Sequence, residues 1–365
     1  MEDQFGNPAV ALTSIRRDAA TIISGTTVPS DEDILQILQR AQSLATLLVY
    51  GDSMTPKEET RETDVETTAR PHTKQQRDTS SALLDDLSEE TTTQRPSKTV
   101  PKSSMSVAFR AKSAEALCEI IYCLLNDPKV NISESALSTY TTTQCMLNKP
   151  EYLPEIFDLF ANKPLATQKS AHNIAFSPRR TWHHRSAIPL PTATLALSSA
   201  IHKRDMALAV AITDTTVATR AYRYHRFLTQ AAPKLSLLTM IPFTAVTLSS
   251  WASTYQNTFE PEMAKAMALM GATAYVGTFG TIAFIAVTTW SDHHDRVHWQ
   301  VGKGLSKRWL QEDERMFLDR VAQAWGFEDK KRRGEEQGEE WEALRDTVGL
   351  RGMVLDKTEF LEGMQ

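Results

Sequence analysis

The densest group of side chains that could bind a metal is the run Asp292-His293-His294-Asp295-Arg296-Val297-His298. On an α-helix, His294 and His298 would share one face at a spacing of four residues, as paired metal ligands do, and an aspartate could add an oxygen. A metalloenzyme also needs a third ligand and an acid or base, and the sequence offers no residue for either role. We therefore interpret the run as a polar collar that follows an apolar segment. We expect no metal, no cofactor and no enzymatic activity.

A second feature is a long stretch of positive charge, because residues 163–204 contain no Asp or Glu. A basic face of this kind can bind anionic lipid headgroups or RNA phosphates. It can also simply retain this part of the chain on one side of a membrane. The cations expected to form the face are Arg179, Arg180, Arg185, Lys203 and Arg204.

The elements that must position these groups include two uncharged stretches, Leu235–Phe259 and Ala266–Trp290. Each is long enough to cross a hydrocarbon core that needs roughly 20 helical residues. We predict a transmembrane hairpin over residues 231–291, with spans at about 235–255 and 266–290. Thr273, Gly277 and Thr281 recur every four residues, and we expect this small-residue stripe to pack the second helix against the first. The alternative is a pair of buried helices in a soluble fold.

Charge flanking the hairpin predicts its orientation. Basic residues precede the first stretch and follow the second, whereas the connecting loop carries Glu260 and Glu262 against Lys265. By the positive-inside rule both termini lie on the side that retains positive charge, which is the cytosol or the mitochondrial matrix.

The remainder of the chain divides by composition. We expect an all-α fold with an N-terminal helical segment (1–50), a disordered linker (51–106) rich in Thr, Ser and charge, and a helical-hairpin domain (107–230). The last region, 292–365, is expected to be a C-terminal helical tail that contains an amphipathic helix at residues 305–325. In the domain, residues 135–147 and 153–161 are predicted to form one antiparallel helical hairpin, and 191–202 and 205–218 another. A loop is predicted between the two hairpins.

Whole-chain composition adds little to the assignment of function. The 365 residues carry a net charge of −5, which gives no signal for nucleic acid. Cys118, Cys123 and Cys145 lack metal-site spacing, and we expect small buried thiols in a reducing compartment. The N-terminus lacks the apolar core of a secretory signal and the Arg-rich composition of a mitochondrial presequence.

The segment from Tyr140 to Phe160, with a turn near Asn148-Lys149, resembles a pentatricopeptide-type hairpin, as does the segment from Ala200 to Ala209. With the predicted two-span anchor, the chain resembles fungal mitochondrial inner-membrane proteins that carry such hairpins on the matrix side. The resemblance implies a non-enzymatic accessory protein that supports mitochondrial gene expression or respiratory-complex assembly. It would act beside a membrane-associated protein complex, with RNA as a further candidate partner. The alternative is a membrane-anchored adaptor or tether of the endoplasmic reticulum or another organelle, which the acidic start Met1-Glu2-Asp3 favours.

Overall fold

A computed structural model describes residues 8–50, 106–170, 173–289, 294–329 and 332–356. Nearly all of the linker predicted at residues 51–106 lies outside the described residues, as do Asp292, His293 and the last nine residues. The described chain is mostly helical, which confirms the all-α class. The helices are α1 (Pro8–Ser24), α2 (Asp31–Tyr50), α3 (Val107–Asn126), α4 (Glu134–Met146), α5 (Leu153–Asn162), α6 (Leu190–Lys203), α7 (Met206–Thr215), α8 (Arg220–Arg226), α9 (Ala232–Thr239), α10 (Ile241–Tyr255), α11 (Pro261–Thr289), α12 (Leu305–Leu310), α13 (Glu312–Trp325) and α14 (Glu339–Leu350). The strands are β1 (Leu165–Ser170), β2 (Asn173–Ser177), β3 (Val297–Trp299) and β4 (Met353–Leu355).

The helical domain is built around α2. Its apolar residues recur at helical spacing, and the side chains of Ile34, Leu38, Ala41 and Leu44 are fully buried. This stripe packs chiefly against α4, while α1 packs on α2 and α3. The N-terminal helices therefore belong to the same core as the domain predicted at residues 107–230.

The predicted helical pairs are partly correct. α6 and α7 pack together as a hairpin, but α4 packs mainly on α2 and α6 and makes few contacts with α5. The pairing expected for residues 135–147 and 153–161 is therefore wrong. The physical reason is that α2, which lies before the linker, presents a longer apolar stripe to α4 than the 10-residue α5 does.

A β-hairpin replaces the loop expected after α5. β1 and β2 pair antiparallel from Leu165 opposite Ser177 to Ser170 opposite Asn173. Asn131 fixes this hairpin to the domain, because its side-chain amide pairs with both the N–H and the C=O of Ala166, each at 2.9 Å. A contact between residues 35 positions apart leaves no local pattern in the sequence.

From α8 the chain runs through a π-helical turn, Phe227–Ala231, into α9 and α10, and it returns as α11. A compact module follows, in which β3 and β4 pair antiparallel and pack with α13 and α14. The amphipathic helix predicted at residues 305–325 is divided at Gln311, where φ is −106° and ψ is 13°. The three acidic residues that follow begin α13, and carboxylates are favourable in the first turn of a helix.

Candidate functional site

The hairpin of α10 and α11 is held together by small side chains. Ser249 is 2% exposed and is the buried residue of α10, so it marks the centre of the contact. Small residues at four-residue spacing let two helix backbones approach closely. The partly covered small residues that share this spacing are Ala245 and Ser253 on α10, and Ala264, Ala268 and Ala272 on α11.

The outer surface of the same hairpin is apolar and exposed. A soluble monomer rarely exposes a continuous apolar surface of more than a few hundred Å². Here large apolar side chains are exposed along both helices, on every face that the helical contact leaves open. They include Phe243, Leu248, Trp251, Tyr255, Met263, Met267, Met270, Tyr275, Phe279, Ile282, Phe284 and Ile285.

Within the described residues, one helix is long and apolar enough to cross a membrane. It runs over Pro261–Ala286, 26 residues with a mean hydropathy of 1.5, and none of its most apolar window is buried. The first predicted span is interrupted, because α9 ends at Thr239 and α10 begins at Ile241. Pro242 explains the break, since it has no amide hydrogen and its ring clashes with the carbonyl four residues earlier. The hairpin itself is thus present, and it contains one continuous candidate span.

The small-residue stripe predicted to pack the hairpin lies elsewhere. Thr273, Gly277 and Thr281 are exposed, and a Cβ added at Gly277 would meet nothing within 4 Å. The hydroxyls of Thr273 and Thr281 donate to carbonyls of their own helix, those of Leu269 and Gly277. The stripe that packs against α10 is therefore the alanine set, which lies on another face of α11.

The two candidate metal ligands do not share a helical face. His298 lies in β3 and pairs with Val354, so the helical geometry expected for residues 294–298 is wrong. His294 Nε2 lies 3.0 Å from Glu312 Oε1, and its Nδ1 lies 3.8 Å from Asp319 Oδ2. Among the described residues no group of three or more His, Cys, Asp and Glu side chains is placed to hold a metal ion.

The five predicted basic residues fall into two groups. Arg179 donates to the carbonyl of Arg185 at 2.8 Å and lies over the ring of Phe160, while Arg180 is exposed in the same loop. Lys203 instead forms an ion pair with Glu151. Arg204, at the end of α6, donates to the carbonyl of Ala324 at 2.8 Å. Lys203 and Arg204 therefore hold helices together, and the loop arginines carry the more open positive charge.

A network of buried charge, which sequence reasoning missed, joins the two ends of the hairpin. α8 lies just before the first helical stretch and α13 lies beyond the second. The Tyr222 hydroxyl donates to Asp313 at 2.7 Å, and Arg226 forms an ion pair with the same carboxylate at 2.6 Å. Arg223 pairs with Glu314 at 3.0 Å. The acidic first turn of α13 is thus neutralised by the basic residues of α8.

Arg296 is the centre of the second part of this network, and it is fully buried. Its guanidinium donates to Asp356 at 3.0 and 2.8 Å, to the carbonyl of Ala322 at 3.0 Å, and to Glu336. It also lies over the ring of Trp341, 4.7 Å from the centroid. A buried guanidinium is tolerated only when its donors are satisfied, and these acceptors satisfy them.

These contacts shift the ionisation of their carboxylates. Burial alone would raise the pKa of Glu336, but hydrogen bonds from Arg296, Phe327 and Gly334 outweigh it and lower the pKa to about 2. Burial likewise opposes ionisation of Glu312, and hydrogen bonds from His294 and Arg315 lower its pKa. Both side chains are therefore charged at neutral pH.

The thiols are only partly as expected. Cys118 is buried and Cys145 is half-buried, and burial raises their pKa to about 12 and about 11. Cys123 is exposed on α3, so the expectation of a buried thiol is wrong for this residue. Its position on the outer face of the helix leaves it open to reagents.

The chain matches no protein-family model, no curated protein and no solved structure. The class that the fold defines is therefore read from the geometry alone: a helical domain and a charged module, joined to an exposed apolar helical hairpin.

Proposed function

We propose that the chain is a two-span membrane protein in which α9 and α10 form the first span and α11 the second. The observation that carries this proposal is the exposed apolar surface of the hairpin. In water that surface would cost roughly 25 cal/mol for each Å², whereas in lipid it has no such cost. The helical backbone satisfies its own hydrogen bonds, as a lipid environment requires.

The first span accommodates its break. α9 and α10 together cover residues 232–255, a length of about 36 Å at 1.5 Å per residue, against a hydrocarbon core of about 30 Å. A proline break inside a span is tolerated where a neighbouring helix packs against it. The contact of α10 with α11 supplies that neighbour.

Both ends of the hairpin lie on one side of the membrane in this proposal. The ion pairs between α8 and α13 support it, because the residues before the first span contact the residues after the second. The charge distribution agrees, with Arg220 and Lys234 before the hairpin and Lys307 and Arg308 after it.

We propose further that the protein is a non-enzymatic accessory protein of the mitochondrial inner membrane, with both termini in the matrix. It would hold its helical domain beside a membrane-associated protein complex that serves mitochondrial gene expression or respiratory-complex assembly. What supports this is the layout: a helical-hairpin domain tied by ion pairs to a membrane anchor, with open positive charge at Arg179 and Arg180 available to RNA or lipid. The second candidate is an adaptor of the endoplasmic reticulum with cytosolic termini, which the same charge distribution supports equally.

Alkaline carbonate extraction of the full chain, expressed in a eukaryotic cell, tests the anchor. We expect the chain in the membrane pellet, and its recovery in the supernatant would overturn the proposal. Ile282→Arg should lower the pelleted fraction, because arginine at the centre of a span costs about 3 kcal/mol. Val10→Arg, the same change at an exposed position of α1, is the matched control and should leave the pelleted fraction unchanged.

A further inference from the structure

A cleft of about 1020 Å³ lies where the charged module meets α8. Its wall is formed by the turn between β3 and α12, one side of α12, the start of α13 and the turn that ends α14. The residues that line it are Arg223, Gln300, Val301, Gly302, Lys303, Gly304, Ser306, Lys307, Leu310, Gln311, Glu314, Leu350, Arg351 and Gly352.

The cleft carries more positive than negative charge. Its cations are Arg223, Lys303, Lys307 and Arg351, and its one carboxylate is Glu314. Glu314 is shared, since Arg223 lies 3.0 Å and Arg351 3.4 Å from its oxygens. Arg351 has a second partner in Asp214, outside the cleft lining.

The two lysines are left without a carboxylate. The Lys303 ammonium donates to the carbonyl of Arg351 at 2.6 Å and lies over the ring of Trp299, while Lys307 forms no ion pair within the described part of the chain. Burial lowers the pKa of Lys303 to about 8, and the neighbouring cations Arg223, Arg308 and Lys307 lower it further against the opposing effect of Glu314. An anion between the lysines would relieve this crowding.

The position of the cleft indicates the source of the anion. α12, whose Ser306, Lys307 and Leu310 line the cleft, packs against α11. The apolar side chains of Val301 and Leu350 stand at the cleft with 97% and 90% of their surface exposed. Cations beside exposed apolar side chains, next to a helix that crosses a bilayer, match the boundary between headgroups and acyl chains. None of the lining residues, all within the described chain, is an aromatic ring on which a nucleotide base could stack.

We propose that this cleft binds the phosphate of an anionic phospholipid headgroup from the leaflet on the side of the charged module. The proposal rests on the membrane anchor proposed above. Lys303 and Lys307 contact the phosphate oxygens in this arrangement, Arg223 and Arg351 supply the surrounding positive charge, and Val301 and Leu350 contact the upper acyl chain.

The test uses the full chain purified in a neutral detergent. Binding is measured for short-chain phosphatidylglycerol, phosphatidylcholine of the same chain length, inorganic phosphate and a single-stranded RNA. We expect phosphatidylglycerol to bind at least tenfold more tightly than the other three. Equal binding of phosphatidylcholine, competition by inorganic phosphate at the same concentration, or preferential binding of the RNA would each overturn the proposal.

Variants separate the site from general charge. Lys307→Gln should weaken phosphatidylglycerol binding about fivefold, and Lys303→Gln combined with Lys307→Gln about 25-fold, since each basic residue near a lipid surface contributes about 1 kcal/mol. Lys112→Gln combined with Lys169→Gln removes the same charge from exposed positions outside the cleft and should leave the affinity unchanged. Lys307→Gln guards against misfolding, because this side chain forms no ion pair. Unchanged affinity in both cleft variants would overturn the proposal.

Carbonate extraction of the same variants distinguishes this inference from the proposed anchor. If every variant stays in the membrane pellet but none prefers phosphatidylglycerol, the cleft assignment alone is wrong. If the unaltered chain leaves the membrane, the anchor fails, and the cleft assignment fails with it.

Discussion

Arg296 shows how one buried charge organises the charged module. Its partners Glu336 and Asp356 lie 40 and 60 residues along the chain, so the guanidinium joins segments that have no local reason to meet. Removing one partner of a buried charge pair costs more than an exposed pair, because the remaining charge stays desolvated. The module should therefore be sensitive to small changes around this side chain.

Gly326 tests that sensitivity by packing alone. A Cβ added there would lie 1.3 Å from Nη1 of Arg296, which is impossible without displacing the guanidinium from its acceptors. We expect Gly326→Ala to lower the free energy of unfolding by about 2 kcal/mol or more, measured by denaturant titration of the full chain in detergent. Gly349→Ala is the control, since a Cβ at that helical position meets nothing within 4 Å. Equal stability of the two variants would contradict the assigned geometry.

The same hub makes stability depend on acid pH. The pKa of Glu336 is about 2 in the folded chain against an ordinary value of 4.5, so its contribution is fully present above about pH 4.5 and is lost as pH falls toward 2. We expect an acid-induced loss on the order of 2 kcal/mol from this group, measured as unfolding free energy across that pH window. Glu336→Gln should be less stable at neutral pH and should show a smaller change across the window. An unchanged pH profile in Glu336→Gln would argue against the ion pair.

At the scale of elements, the hairpin depends on close approach of α10 and α11 around Ser249. A larger side chain at this buried position would force the helices apart. We expect Ser249→Leu to destabilise the hairpin by about 1–3 kcal/mol, measured by loss of helical circular dichroism during titration with dodecyl sulfate. Thr247→Leu makes a comparable change on the exposed side of the same helix and should have little effect. If Thr247→Leu were as disruptive as Ser249→Leu, the assigned contact face would be wrong.

How far the sequence predicts this fold depends on whether the determinants are local. The helical class and the extent of α11 follow from local spacing and hydropathy. The packing stripe does not, because Ala264, Ala268 and Ala272 have the same small-residue spacing as the Thr273 stripe, and only the rotation of α11 decides between them. That rotation is set by tertiary packing, as is the β-hairpin fixed by Asn131.

The candidate sites divide in the same way. The apolar hairpin was predictable because membrane insertion depends on composition over about 20 residues. The cleft and the Arg296 network were not, because their members come from segments between residues 214 and 356 that pair only after folding. One available signal was the acidic start of α13, Glu312-Asp313-Glu314, which calls for basic partners elsewhere in the chain.

For the whole molecule, the links between α8 and α13 require the charged module and the loop at residues 256–260 to lie on opposite membrane faces. The chain carries its own reporter of the first face, because Cys123 is exposed on α3. Thr258→Cys in a Cys123→Ser background reports the second face. Cys118 and Cys145, which are covered to different degrees, give the background reaction, measured in Cys123→Ser alone.

A maleimide that cannot cross membranes then reads the orientation in sealed preparations. In mitochondria stripped of their outer membrane, a matrix-facing module leaves Cys123 unlabelled and the Thr258→Cys variant labelled. In sealed endoplasmic reticulum vesicles with the cytosolic face outward, cytosolic termini give the reverse pattern. Either pattern requires the hairpin to span the bilayer, since a single outer reagent reaches one reporter and not the other. Labelling of both reporters without detergent would mean that the hairpin lies on the membrane or in water, and the two-span anchor would be abandoned.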